Sequence, residues 1–180
     1  MTRQILLLRG VNLGPNRRLS MADLRALLTS LGYDDVRTHL QSGNIVLSTG
    51  KKPASLKREL EQEITAALGL ETDVLVRTRD ELADVVARNP LRAVAKNPSR
   101  YLVTFLARKP DAGFAKELAS AVVAPERVAV SGREIYSWHP NGIQGSKLAK
   151  LLGKRRAGVT ATARNWNTVT RLLELADAAK

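Results

Sequence analysis

The chain has 180 residues, 44% hydrophobic and 26% charged, enough for one large domain or two small ones. It has no cysteine and only two histidines, His39 and His139. Disulfide and thiolate chemistry are therefore excluded, and a zinc site, which needs three or four nitrogen or sulfur ligands, is disfavoured.

The net charge of +12 is unevenly spread. Residues 1–90 hold 13 Lys and Arg against 11 Asp and Glu, whereas residues 91–180 hold 16 against 6. From Ile135 to Leu173 there are seven basic residues and no acid. A basic half suits a polyanionic partner, such as nucleic acid or a phosphorylated ligand. A generally basic proteome would give the same isoelectric point. The apolar run Ile5–Leu8 is too short for a signal-peptide core or a membrane span, so a cytoplasmic protein outside the membrane is expected.

In chain order, Gln4–Arg9 reads as a buried strand. Ser20 caps a helix with Met21, Leu24, Leu27, Leu28 and Leu31 at helical spacing, ended by Gly32. Asp35–Leu40 and Asn44–Ser48 form a hairpin around Gln41-Ser42-Gly43. Ser55 opens a second helix that closes at Gly69. Thr72–Thr78 alternates as a strand, and Asp80 caps a helix that runs to Arg88, before Asn89-Pro90.

The second half repeats the order. Tyr101–Ala107 is a strand, Asp111–Val122 a helix, and Arg127–Ser131 with Glu134–His139 a hairpin around Gly132. Ser146–Leu152 is a short helix, Val159–Ala163 a strand, and Asn165–Ala179 the last helix. Within that helix Trp166, Val169, Leu173 and Ala176 fall on one stripe, so Trp166 reads as core and Asn165 as N-cap. Two local matches point to a duplication: "QSGNIVLS" (Gln41–Ser48) with "VSGREIYS" (Val130–Ser137), and "VLVRTRD" (Val74–Asp80) with "VTATARN" (Val159–Asn165). The expected fold class is α+β, with two tandem ferredoxin-like (β-α-β-β-α-β) halves, each followed by an extra helix. The halves are residues 1–90 and 91–180, packed as one compact body.

Three groups of residues are candidates for binding an anion or nucleic acid. The first is the long loop Gly10–Leu19 with the turn Gln41–Asn44. Its glycines can make backbone N–H groups converge on an anion or can simply serve a turn. Arg9, Asn12, Arg17, Arg18, Gln41 and Asn44 are its candidate contacts. The loop is neither G-x-G-x-x-G nor a P-loop, and no cofactor is expected. The second group is Lys147, Lys150 and Lys154 at i, i+3 and i+7, followed by Arg155 and Arg156. They form either a solvated basic face or a patch for phosphates. The third is the start of the last helix, where Arg164, Asn165, Asn167 and Thr168 surround backbone N–H groups. Tyr101, Phe105, Tyr136 and Trp138 lie on the central strands of the second half, as core or as a stacking surface. No catalytic set stands out.

Four stretches together resemble the family called domain of unknown function 1697: "LLLRGVNLG" (Leu6–Gly14), "MADLRALLTSLGYDDVRTHLQSGNIVLS" (Met21–Ser48), "NGIQGSKL" (Asn141–Leu148) and "TARNWNTVTRLLEL" (Thr162–Leu175). The chain departs from the family pattern at Leu47, where an aromatic is usual. The resemblance implies paired ferredoxin-like units and brings no established activity. The leading expectation is nucleic-acid binding through the basic C-terminal half. The alternatives are an enzyme or binding protein for a small phosphorylated or carboxylated ligand, held by Arg9, Asn12, Gln41 or Arg164, and a protein–protein adaptor.

Overall fold

A computed structural model of the protein describes residues 1–15, 18–154 and 159–178. Among these, the order is β1 (Thr2–Leu8), α1 (Met21–Ser30), β2 (Asp34–His39), β3 (Asn44–Thr49), α2 (Pro53–Leu68), β4 (Val74–Thr78) and α3 (Arg79–Arg88). A 3-10 turn at Pro98–Arg100 leads into β5 (Tyr101–Leu106), α4 (Ala112–Ala121), β6 (Arg127–Ser131), β7 (Glu134–Trp138), α5 (Lys147–Gly153), β8 (Ala161–Asn165) and α6 (Trp166–Asp177). The fold is α+β, with two four-stranded antiparallel sheets, ordered β2-β3-β1-β4 and β6-β7-β5-β8. The chain divides into two compact units, Met1–Asp84 with Thr170–Lys180, and Val85–Val169.

In the first unit, Leu6, Leu8, Ile45, Leu47, Val74 and Val76 pack with Leu24, Leu28, Leu56, Leu60 and Ile64 from the helices. The intervening residues Ile5, Leu7, Val46 and Leu75 are buried as well. Burial on both faces explains the unbroken apolar run of β1, since alternation marks a strand with one wet face. For the same reason β4 does not alternate in burial as expected, and its Arg77 is only 1% exposed.

Ser20 caps α1 by accepting the Asp23 N–H at 3.3 Å, and Gly69 closes α2 with φ +65°. Two expected caps are corrected. Helix α2 begins at Pro53 after Lys52, because proline needs no N–H donor at the first helical position, and Ser55 lies inside it. Helix α3 is capped by Thr78 rather than Asp80. The Thr78 hydroxyl accepts the Glu81 N–H at 3.2 Å, and the Glu81 carboxylate accepts the Thr78 N–H at 2.9 Å. This reciprocal pair is a capping box.

In the second unit, Leu106, Phe114, Leu118, Ile135, Leu148 and Leu151 form a core between sheet and helices. Asp111 and Ser146 cap α4 and α5 through the N–H groups of Phe114 and Ala149. Asn165 caps α6, as expected, by accepting the Thr168 N–H at 3.0 Å. Strand β8 starts two residues later than its expected position, at Ala161. This shift also corrects the second repeat alignment. Arg77-Thr78 ends β4 and Arg164-Asn165 ends β8, each an arginine followed by the cap of the next helix. The first alignment holds, since Ile45 and Ile135 both face the helix-side cores. The buried stripe of α6 is Val169, Leu172 and Ala176, with Leu172 in place of Leu173. Trp166 is half-buried and stacks on Tyr101, with ring centroids 4.9 Å apart.

Gly43 holds a turn that no larger residue fits. Its φ is +72°, and a Cβ there would lie 2.6 Å from Leu8 Cβ and 2.9 Å from Val11 Cγ2. Left-handed backbone and overpacking each cost about 1–3 kcal/mol. Gly43→Ala is therefore expected to destabilise the protein by about 2–4 kcal/mol in urea denaturation. A loss below about 0.5 kcal/mol would show that the turn relaxes without strain.

Candidate functional site

The long loop of the first unit uses its polar groups on itself. Asn12 sits at φ +55° and accepts the Leu19 N–H at 2.7 Å. Its amide nitrogen donates to the Leu19 carbonyl at 3.1 Å and to the Gln41 carbonyl. Asn12 thus closes the loop and joins it to the hairpin turn. Asn44 is fully buried and donates to the His39 carbonyl at 2.9 Å and to Ser42 Oγ at 3.2 Å. Arg9 directly follows β1, beside Asp73, with Nη1 3.6 Å from Oδ2, so the acid that its position demands is present. Arg18 and the Gln41 side chain are exposed, and Arg17 lies outside the described residues.

The start of α6 is equally occupied. Arg164 is 9% exposed and donates to Thr162 Oγ1 at 2.7 Å and to the Ala163 carbonyl at 2.8 Å. Burial pulls its guanidinium down to about 10, so it stays charged at neutral pH. The buried Arg77 of β4 likewise donates to the carbonyl of its preceding residue, at 3.1 Å. The Thr168 N–H is taken by the Asn165 cap, and the exposed Asn167 amide donates to Ser99 Oγ at 3.2 Å. These four residues hold the end of β8 and the start of α6 in place. Tyr101, Phe105 and Tyr136 are buried core, with burial pushing the Tyr101 phenol up to about 12. The Tyr136 hydroxyl donates to the Val85 carbonyl at 2.9 Å.

The lysines behave differently. Leu148 and Leu151 turn the apolar face of α5 into the core, leaving Lys147 and Lys150 exposed; Lys154, expected on the same helical face, is instead the exposed C-cap in extended backbone. All three line one open groove of about 380 Å³ against α4, where Glu117 and Ser120 complete the wall. One carboxylate faces three ammonium groups, so the groove is cationic. Arg155 and Arg156 lie outside the described residues.

A polar chain that no linear motif announces lies beneath the loop before α5. His139 is fully buried, with Nδ1 2.9 Å from Glu126 Oε1 and Nε2 2.9 Å from Ser137 Oγ. The Ser146 hydroxyl also donates to Glu126 Oε1. An ionised carboxylate only accepts, so His139 Nδ1 donates to Glu126, and Nε2 pairs with the Ser137 hydroxyl. The order serine–histidine–carboxylate is that of a nucleophilic triad, but Ser137 is fully buried and meets no substrate. The chain instead fixes the ring and holds Glu126. Burial works against the charge of Glu126, but the Ser146 hydroxyl, the His139 ring and the Val123 N–H outweigh it and keep the carboxyl below its ordinary value.

The signal for this chain was present in the hairpin. With Ser131 opposite Glu134 and Arg127 opposite Trp138, the next pair outward is Glu126 with His139. Ser137 and His139 share a face at i, i+2. Above them, His139 to Gly142 and Ile143 to Ser146 each close a turn by a backbone hydrogen bond, of 2.9 Å and 3.2 Å. Gly145 has φ +78° at the third position of the second turn, as a type II turn requires. These turns wall a cavity of about 230 Å³ lined by Val123, Glu126, Asn141, Gln144, Ser146 and Lys147. Among the described residues, no group of three or more His, Asp or Glu side chains is arranged to hold a metal. No helix there is long and apolar enough to cross a membrane.

The family model described as "Protein of unknown function (DUF1697)" matches residues 1–136, three quarters of the chain. The chain belongs to this family. Its match ends before the Asn141–Leu148 and Thr162–Leu175 stretches. The chain is also similar to a solved structure of the conserved bacterial protein SP0830 from Streptococcus pneumoniae. Identity is 21%, with 97% of this chain and 98% of that one covered, at a TM-score of 0.78. This likeness extends the shared fold across both units. No curated protein matches the chain.

Two outcomes follow. Arg164→Ala removes charged hydrogen bonds from a buried site and is expected to cost about 2–3 kcal/mol in urea denaturation; a loss under about 1 kcal/mol would show that the site collapses around alanine. The lowered Glu126 carboxyl contributes stability that is full above the usual glutamate value of 4.5 and lost as pH falls through its folded value. Melting temperature should therefore decline more steeply on acidification below about pH 4.5 in the wild type than in Glu126→Gln. Parallel curves would remove Glu126 as a source of the acid sensitivity.

Proposed function

We propose that this protein binds a polyanion, nucleic acid foremost, through the lysine face of α5. The observation that carries this reading is the convergence of Lys147, Lys150 and Lys154 on one groove whose wall holds a single carboxylate, Glu117. Lysine ammonium groups are point charges that neutralise phosphates without reading sequence. With the central-strand aromatics in the core, the sugar–phosphate backbone rather than stacked bases supplies the affinity. The surrounding acid-free stretch from Ile135 to Leu173 adds a favourable long-range field.

A ferredoxin-like reading of each half accords with this proposal. The strand orders β2-β3-β1-β4 and β6-β7-β5-β8, each with helices after the first and third strands, support it. A cytoplasmic site of action, where nucleic acid is at hand, belongs to the same reading. The small-anion alternative at Arg9, Asn12, Gln41 and Arg164 has weaker support. Arg9 already faces Asp73, the Asn12 amide closes its own loop, and Arg164 is buried.

The test is fluorescence anisotropy with labelled nucleic acid at several salt concentrations. Three phosphate contacts predict a slope of log K against log salt of about −2.1 for single strands and about −2.7 for duplex DNA. Replacing Lys147, Lys150 and Lys154 together by alanine should flatten the slope and abolish most binding. If neither DNA nor RNA binds at low salt, or if the triple variant binds like the wild type, the reading fails.

A further inference from the structure

The cavity above Glu126 adjoins the lysine groove, and its polar floor is incompletely satisfied. Among the described residues, Glu126 Oε1 accepts from both His139 and Ser146, whereas Oε2 accepts only the Val123 N–H, at a long 3.4 Å. A carboxylate offers about four acceptor positions. Glu126 is 8% exposed and lines the cavity, so the cavity is where a ligand can reach its carboxylate. A charged oxygen in this setting is a strong acceptor for a ligand O–H or N–H. The neighbouring His139 ring and Ser146 hydroxyl keep the carboxylate ionised and fixed in place.

Lys147 links the two features, because it lines both the 230 Å³ cavity and the 380 Å³ groove. A phosphate held by Lys147 would carry its attached sugar to the cavity mouth. The cavity is smaller than the roughly 300–1,000 Å³ of pockets for drug-sized ligands, so it suits a sugar rather than a whole nucleoside. Deoxyribose inside a strand has no hydroxyl to donate, whereas ribose has its 2′-hydroxyl, the group by which proteins tell RNA from DNA.

We infer that this cavity takes a ribose–phosphate unit, with Glu126 Oε2 accepting from the 2′-hydroxyl and Lys147 Nζ pairing with the adjacent phosphate. The inference rests on the polyanion reading above and adds ribose selectivity to it. The same chemistry is offered by an RNA strand and by a free ribonucleotide.

The experiment uses the full chain with a labelled unstructured 12-nucleotide RNA, the DNA of the same sequence, and AMP and dAMP. Binding is measured at two salt concentrations. Wild type should prefer RNA over DNA by about tenfold, the worth of one charge-assisted hydrogen bond. That ratio should persist as salt rises, because the hydroxyl contact exchanges no ion. Val123 is 56% exposed and lines the cavity, so Val123→Phe fills the cavity without changing charge or touching the core. It should bring the RNA-to-DNA ratio toward one and leave the salt slope unchanged. Glu126→Gln, checked for its melting temperature, should also reduce the ratio. If AMP outbinds dAMP and Val123→Phe abolishes that difference while the two strands bind alike, the ribose–phosphate unit comes from a free nucleotide. Equal binding of ribo and deoxy forms in both formats overturns the inference, and so does a preference that survives both variants. In those cases a salt slope of the expected size still supports the lysine face. Failure of every ligand to bind at low salt overturns both.

Discussion

The geometry of the candidate site depends on one hairpin register. Gly132 has φ +63°, and Gly132-Arg133 connects β6 to β7 in two residues, which leaves no slack for a second pairing. A slip by one residue would turn every side chain of β7 to the other face. In the observed register Glu126 stands across from His139, and Ser137 lies on the same face two residues back. Ser146 then reaches the shared carboxylate from the far end of the intervening loop and caps α5 through the Ala149 N–H. One serine hydroxyl therefore ties the start of the lysine-bearing helix to the hairpin. The positions of Lys147, Lys150 and Lys154 follow from that anchor and from the burial of Leu148 and Leu151.

Residue types that suggest binding divide by whether the fold already uses their polar groups. Arginine and asparagine near the ends of apolar strands look like ligand contacts, yet the buried Arg164 and the half-buried Asn12 both donate to backbone carbonyls of their own surroundings. A buried polar group must be satisfied locally, and a long loop with few apolar residues has only its own side chains with which to do so. Asn12 and Asn44 perform that task at the interlocked ends of the Gly10–Leu19 loop and the Gln41–Asn44 turn. The α5 lysines face no such demand. Their chains stand on the wet side of a helix whose leucines already supply the packing, and this leaves their charges available.

The two sheets repeat one device at their edge strands. Arg77 and Arg164 each occupy the penultimate position of a strand, each donates to the carbonyl just before it, and each precedes the residue that caps the following helix. The correspondence is chemical as well as positional, and it ties strand end to helix start in both halves. It was hidden in the sequence because Arg79 offers a second arginine two residues downstream of Arg77, and the "VLVRTRD" alignment used that one.

Local chemistry determined the element order by itself. Short apolar runs, helical spacing of leucines and the caps at Ser20, Asp111, Ser146 and Asn165 are short-range features, readable without knowing what packs where. The same holds for Lys147 and Lys150 on the exposed face of α5, which need only the helical repeat, whereas Lys154 lies just past the helix in extended backbone. Tertiary structure decided which polar residues are displayed and which are enclosed, because that depends on strands far apart in the chain. Arg77 and Arg164 are interior residues on the strands that pair with β1 and β5, a burial that their sequence neighbours do not announce. Glu126, Ser137, His139 and Ser146 became one chain only through hairpin register and loop return. Their meaning is a matter of distance, and linear spacing carries no distance beyond a turn or two.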